Sequence, residues 1–222
     1  FGESIAQGEV VPDLYGFDAD GMPTEAFPGR KTHSIHCARH HGSPSSTKVD
    51  SEKASKRCLD DEQLRELSLI MKNAEKLMGG PVEIEWALDT VGFKALQARP
   101  LHLGPVSVPD EMWLQHPSLR GQPGGIGWGT GRACVISCEC ELGRVAPGDV
   151  LVTKVAGPAL SQVLPRVSGV VAELGGSTSH LASLARERGI PMVLGALDVT
   201  NAIPDGAQVG VDGVAGLVRW IQ

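Results

Sequence analysis

The sequence predicts an α/β protein in two parts, and three patterns carry that prediction. A capped amphipathic helix near residues 61–78 leads into two alternating segments, 82–88 and 94–99, split by a turn. Pro105, Pro109, Pro117 and Pro123 then punctuate a polar connection. Beyond it, short β-branched runs enclose a helix that follows Gly175-Gly176 and ends at Gly189. A chain of 222 residues, 41% hydrophobic, has material for one large or two small cores. The boundary is placed at Gly104-Pro105, giving a first domain at 1–104, a hinge or linker at 105–123 and a second domain at 124–222.

Asp60 followed by Gln63 reads as a capping box, and Leu64, Leu67, Ile70, Met71, Ala74, Leu77 and Met78 mark the buried stripe of the first helix. Gly79-Gly80-Pro81 terminates it. In the next segment Val82, Ile84, Trp86 and Leu88 fall on one face, and Glu83 and Glu85 on the other. Asp89-Thr90-Val91-Gly92 makes the turn of a hairpin, whose polar face gathers Glu83, Glu85, Gln97 and Arg99. Two carboxylates, an amide and a guanidinium can bind a metal and phosphate together, or can simply form a solvated sheet face.

In the second domain Gly124 to Gly131 is glycine-rich but lacks a following helix that would aim N–H groups at a phosphate, so turns are expected there. Cys134, Cys138 and Cys140 share parity with Ile136 along Arg132 to Leu142 and are read as one buried strand face, with a redox or iron–sulfur role the lesser alternative. Val170-Val171-Ala172 is a strand pattern, and Thr178 is expected to cap a helix whose apolar positions are Leu181, Leu184 and Ala185. Gly189 ends this helix and Pro191 prevents its resumption. His180 then lies in the first turn, where free N–H groups and the helix dipole favour a neutral imidazole and stabilise an attached phosphoryl group. A histidine that only packs or caps at a strand-to-helix turn is the alternative.

Composition narrows the function. A formal net charge of −6, scattered Lys and Arg, and 4% aromatic residues offer neither a basic face nor stacking platforms for nucleic acid. No apolar run reaches the roughly 18 residues that span a bilayer, and no leader pattern is present, so a cytoplasmic protein without membrane partners is expected. Five cysteines without regular spacing suit a reducing compartment. Phe1 is not an initiator methionine, so the chain is expected to be processed or a piece of a longer one. His33, His36, Cys37, His40 and His41 lie within nine residues and suggest zinc, with Cys58 as a distant donor; an exposed loop or β-excursion through Pro28 to Lys56 is the competing reading.

The stretch Gly175-Gly176-Ser177-Thr178-Ser179-His180, with Gly148-Asp149-Val150-Leu151-Val152-Thr153, Ser168-Gly169-Val170-Val171, Gly189-Ile190-Pro191-Met192-Val193, Asp205-Gly206 and Val211-Asp212-Gly213, resembles the swivelling phosphohistidine domain of the phosphoenolpyruvate-utilising enzymes. That family includes phosphoenolpyruvate synthase (pyruvate, water dikinase) and pyruvate phosphate dikinase. Leu181 and Ser183 depart from its pattern, where a small residue and an aliphatic one are usual. Asp60 to Pro100, through Pro81-Val82-Glu83-Ile84-Glu85-Trp86-Ala87 and Leu96-Gln97-Ala98-Arg99-Pro100, resembles the last helix and nucleotide-site hairpin of the family's ATP-grasp domain. Phe1-Gly2-Glu3-Ser4, with Gly8, Val10, Pro12 and Asp13, is similar to the segment entering that half.

The resemblance implies a partial ATP-grasp domain followed by a β/β/α swivelling phosphohistidine domain. It implies ATP and Mg2+ as cofactors, with Glu85 and Gln97 holding magnesium and phosphate groups and Arg99 meeting the terminal phosphates. His180 would be the phosphoryl carrier, Thr178 a hydrogen-bonding partner of the imidazole or its phosphate, and Arg186 a source of positive charge. The acceptor would be a small molecule, pyruvate foremost, giving phosphoenolpyruvate. The earlier ATP-grasp half and the acceptor-binding barrel of the same enzyme would be partners of this chain, which is expected to be inactive without them. Two other readings stand beside this one: an antibiotic phosphotransferase of the rifampin phosphotransferase type, and a non-catalytic phosphohistidine-like or metal-binding module.

Overall fold

The computed structural model describes residues 2–37, 44–101 and 111–221, with the side chains of Cys37 and Pro44 outside the description. The chain is α/β. In order it forms α1 (Glu3–Ala6), β1 (Leu14–Phe17), β2 (Pro23–Phe27), β3 (His33–Cys37), β4 (Pro44–Lys48), α2 (Ser51–Ala54), α3 (Asp61–Met78), β5 (Val82–Asp89) and β6 (Gly92–Pro100). Then come β7 (Ser118–Arg120), β8 (Gln122–Gly125), β9 (Trp128–Ile136), β10 (Val150–Thr153), β11 (Gly169–Ala172), α4 (His180–Arg188), β12 (Met192–Leu194), α5 (Val199–Ala202), β13 (Gln208–Asp212) and β14 (Leu217–Ile221). Two compact units result: Phe1–Pro12, Arg30–Ala54 and Gly104–Gln222 make one, and Asp13–Gly29 with Ser55–Leu103 the other. This partition differs from a single cut near residue 104, because two early segments pack with the later half.

In the smaller unit α3 occupies the span its pattern predicts. Asp60 accepts from the Gln63 N–H at 2.8 Å and the Gln63 side chain accepts from the Asp60 N–H at 3.0 Å, a complete capping box. Gly79 closes the helix in the left-handed conformation at φ 76. Leu64 and Leu67 are buried with Leu59 against Tyr15, Phe17, Ile84 and Phe93. The stripe then runs out of cover: Leu77 is 87% exposed and Met78 is exposed as well, because the small β1–β2 and β5–β6 hairpins shield only the first turns. Removing the cap by Asp60→Ala should cost about 1 kcal/mol. The check is faster amide exchange in the first turn of α3, with the larger unit unaffected.

The larger unit is built on an eight-stranded mixed sheet in the order β7-β14-β13-β9-β10-β11-β12-β8. Strands β9, β10, β11 and β12 are parallel, and the others pair antiparallel. Every residue of β10 and β11 is buried, as expected for parallel strands covered on both faces. Side chains alternate between two cores. Leu151, Val170 and Ala172 join Leu181, Ala182 and Ala185 of α4, while Val150, Val152 and Val171 join Val199, Ile203 and Val209. Strands β7 and β8 stand at opposite ends of this order yet are separated by one residue, Gly121, so they are two arms of a bent strand that draws the sheet edges together. Glycine is needed at that bend, where a Cβ would lie 2.5 Å from the Leu194 carbonyl oxygen.

Three sequence expectations change here. Of the connection 105–123, the part 105–110 lies outside the described residues. The remainder is structured, with a 3-10 turn at Glu111–Gln115 that buries Trp113, followed by β7 and the start of β8. The glycines of 124–131 mostly form strand, with the chain reversing at Ile126-Gly127. Their lack of side chains admits close backbone: a Cβ at Gly129 would strike the Ser168 carbonyl, and one at Gly131 the Gly148 carbonyl. Finally, β9 stops at Ile136, so only Cys134 shares the buried face. Cys138 and Cys140 are exposed and joined as a disulfide, at the start of a 3-10 turn, Glu139–Arg144. Glu141 accepts from the Ser137 N–H, which foremost holds its carboxyl below the ordinary value, with Arg144 assisting. Burial pushes the Cys134 thiol up, so it behaves as a packed apolar side chain.

Candidate functional site

The candidate site forms at the carboxyl end of β11, the position at which parallel α/β sheets present loops for ligand binding. The chain leaves β11 through Glu173 and Leu174, turns at Gly175 with φ 97, and enters α4 at His180. Leu181, Ala182, Ser183 and Ala185 are buried and fix the helix to the sheet. His180 is its first residue and is exposed, as is Thr178. The amino terminus therefore offers an accessible imidazole beside unspent backbone N–H groups and the positive end of the dipole. Such a site suits an anion or a bond to phosphorus.

The cap is displaced by one residue from the expectation. Ser179, rather than Thr178, is the N-cap, and its hydroxyl accepts from the Ala182 N–H at 3.2 Å. Both residue types cap well, so only the helix register distinguishes them, and that register comes from burying Leu181 and Ala185. Thr178 is thus left exposed, one residue before the cap and two before His180. Arg186 lies on α4, and its Nη1 donates to the Ser177 carbonyl at 2.7 Å and the Gly124 carbonyl at 3.0 Å. It ties the histidine loop to β8.

Several residues that sequence patterns did not single out shape this loop. Glu173 accepts from the Thr200 N–H at 3.2 Å and from the Thr200 hydroxyl, anchoring the loop's first residue to α5. Gln122 is buried in β8, and its Nε2 donates to the Pro12 carbonyl at 2.7 Å. The Arg30 Nη2 donates to the Glu173 carbonyl at 2.8 Å. The partners of Gln122 and Arg30 lie more than a hundred residues away, so no local pattern announces these two. At the other end of the parallel strands, before β10, the buried Asp149 accepts from Arg132 through both oxygens and from the Ala146 N–H, and this hydrogen-bonded pair raises the Arg132 pKa.

The polar hairpin face lies in the smaller unit. The β5–β6 register sets Glu83 opposite Arg99 and Glu85 opposite Gln97, and Glu83 and Arg99 form an ion pair at 3.4 Å. Glu85 and Gln97 are exposed. The register shifts after Glu85, leaving Leu96 as the extra residue of a bulge between the Glu85–Gln97 and Trp86–Ala95 pairs. Exposed carboxylate and amide oxygens on adjacent strands are hard donors suited to magnesium, which takes few protein ligands and keeps water and phosphate oxygens for the rest.

The histidine-rich segment behaves differently. His33 and His36 lie on β3, where the His33 Nε2 pairs with Glu9 at 3.2 Å and the His36 Nε2 with Thr47 at 3.3 Å. His40 and His41 fall outside the described residues. Among the described residues, no three His, Cys, Asp or Glu side chains gather as a metal site. Among the described residues, no helix is long and apolar enough to cross a membrane.

Comparison with known proteins extends the geometry. Residues 1–111 match the model of the pyruvate phosphate dikinase AMP/ATP-binding domain, and residues 145–216 match that of the mobile domain of PEP-utilising enzymes. The chain is 32% identical over 219 residues to a probable phosphoenolpyruvate synthase of Methanothermobacter thermautotrophicus, covering 98% of this chain and 32% of that protein. It is 31% identical to a probable phosphoenolpyruvate synthase of Archaeoglobus fulgidus, covering 98% of this chain and 30% of the relative. It is 30% identical to the phosphoenolpyruvate synthase of Escherichia coli, covering 99% and 30%. The chain spans about a third of the length of these relatives. With an exposed histidine at the start of α4 inside the mobile-domain match and a nucleotide-domain match over the first half, the chain belongs to the phosphoenolpyruvate-utilising enzyme family.

Proposed function

We propose that this chain takes part in phosphoryl transfer from ATP through His180 to pyruvate, giving phosphoenolpyruvate. In this reading residues 1–104 are the later part of an ATP-grasp domain and 124–222 a β/β/α swivelling phosphohistidine domain, with 105–123 between them. The observation that carries the reading is the exposed His180 at the first position of α4, within the match to the mobile domain.

The imidazole is a competent nucleophile at neutral pH, and the phosphoramidate it forms is labile enough to pass the group on. Backbone N–H groups at the start of α4 stabilise the charge carried there. Thr178 would hydrogen-bond the imidazole or its phosphoryl group. Arg186 would act chiefly by fixing the Ser177 carbonyl and hence the loop, its positive charge adding to the field. In the nucleotide-binding part Glu85 and Gln97 would hold Mg2+ and Arg99 would meet the terminal phosphates. Magnesium supplies charge neutralisation at the phosphate groups. The rest of the enzyme would contribute the remaining ATP-grasp residues and the acceptor site.

The test is the full-length protein incubated with ATP, Mg2+ and pyruvate. Consumption of pyruvate with AMP and inorganic phosphate formed in equal amounts, water taking the second phosphoryl group, supports the reading, and repeated AMP formation beyond one equivalent of enzyme that does not depend on pyruvate, or none at all, refutes it.

A further inference from the structure

The loop that carries His180 rests on residues from the opposite end of the chain. Gly8, Val11, Pro12 and Arg30 belong to the nucleotide-domain match at 1–111, while Glu173, Gly175, Gly176 and Gly195 belong to the mobile-domain match at 145–216. All of them lie in the larger compact unit. The Arg30 Nη2 donates to the Glu173 carbonyl at 2.8 Å and to the Gly195 carbonyl at 3.3 Å. One guanidinium thus holds the chain where it leaves β11 and again where it leaves β12, on both sides of the histidine loop and helix. Arg30 is itself held in place, since its backbone exchanges hydrogen bonds with Val11 at 2.8 and 3.3 Å.

At Gly176 and Gly195 the packing between these segments leaves little room for a side chain. A Cβ at Gly176 would strike the Pro12 ring and lie 2.9 Å from the Gln122 Oε1. A Cβ at Gly195 would lie 3.0 Å from Val11 Cγ1, and one at Gly8 would lie 3.7 Å from the Gly175 Cα. Gln122 closes the contact by donating to the Pro12 carbonyl, and its Oε1 is buried without a hydrogen-bond partner among the described residues. That buried amide is oriented by one hydrogen bond across the contact.

We infer that Arg30 and Gln122 are positioning residues that seat the His180 loop on the segments around Pro12 and Arg30 of the nucleotide-domain match, and that this seating is needed to load His180 from ATP. The inference rests on the reading of His180 as phosphoryl carrier. The contact is made by three side-chain hydrogen bonds and close packing at glycines. Loading of His180 from the acceptor side does not require it. By microscopic reversibility, phosphoenolpyruvate donates its phosphoryl group to the imidazole, the enol O–P bond breaking as the N–P bond forms, and the enolate released takes a proton at carbon to give pyruvate.

The test compares Arg30→Met and Gln122→Met with the parent full-length protein in two single-turnover labelling reactions, one from labelled ATP and one from labelled phosphoenolpyruvate. The expected result is ATP loading slowed about tenfold or more, with phosphoenolpyruvate loading within about twofold of the parent. Arg30→Lys, which keeps the charge but loses the planar guanidinium whose Nη2 reaches both carbonyls, should recover only part of the rate. Amide exchange at Gly175 and Gly176 should also quicken in Arg30→Met, a readout that does not depend on catalysis. Equal losses from both donors would mark general damage and overturn the inference, as would unchanged ATP loading or unchanged exchange. If the parent protein takes label from neither donor while exchange still quickens, the carrier reading fails and the loading role falls with it, and the contact remains only a structural clamp.

Discussion

Replacing His180 by alanine is expected to abolish pyruvate-dependent turnover of the full-length enzyme, a fall on the order of a thousandfold or more, with folding intact. The side chain is exposed at the first position of α4, and the helix is capped by Ser179 and anchored by Leu181, Ala182 and Ala185, none of which the substitution touches. Alanine is also a good helix former. A melting temperature close to that of the parent, together with lost turnover, separates a missing nucleophile from a damaged fold. The capping variant Ser179→Ala provides the contrast, since it removes about 1 kcal/mol from the helix terminus while leaving the imidazole present.

Leu151→Ala is expected to have the largest effect on stability, about 2–5 kcal/mol. Leu151 is fully buried at the centre of β10, on the face that packs beneath α4 with Leu160, Leu164 and Leu181. Strands β9 and β11 flank it on both sides, which limits how far the cavity can collapse. For a chain of this size the loss corresponds to roughly 2–4 °C in melting temperature per kcal/mol, read by calorimetry. Because β10 is covered on both faces, Val152→Ala should act in the same direction through the opposite core.

The sequence was most informative where a local pattern decides structure. Helix α3 occupies its expected span because a capping box, a 3.6-residue stripe and a terminating glycine all act within one stretch of chain. The β5–β6 hairpin and the placement of Glu83, Glu85, Gln97 and Arg99 follow from alternation and a short turn. His180 at the head of a helix was likewise readable, from two glycines, cap-forming residues and a closing Gly189. Long-range closure was not readable. The glycines of 124–131 looked like turns because their reason lies elsewhere, in the carbonyls of Gly148 and Ser168 that pass against them. Alternation alone carried Cys138 and Cys140 onto a strand, but the ladder ends at Ile136 as the Glu141 carboxylate takes the Ser137 N–H.

The exposed turns of α3 show a related limit. A stripe records which face could be buried, and Leu77 and Met78 fit it, but among the described residues of this unit only the hairpins at 14–27 and 82–100 are available to cover it. For Arg30 and Gln122 the sequence offers ordinary polar residues without a motif, and their roles appear only when the ends of β11 and β12 are brought to them.

The central claim is that His180 carries the phosphoryl group, and locating that group on the chain tests it most directly. Full-length protein incubated with ATP and Mg2+ in the absence of acceptor should be quenched in alkali, digested and mapped by mass spectrometry. The account predicts an acid-labile, alkali-stable phosphoryl group on the peptide containing His180, absent from His180→Ala and discharged when pyruvate is added. Label that survives acid, that maps to another residue, or that persists in His180→Ala would contradict it.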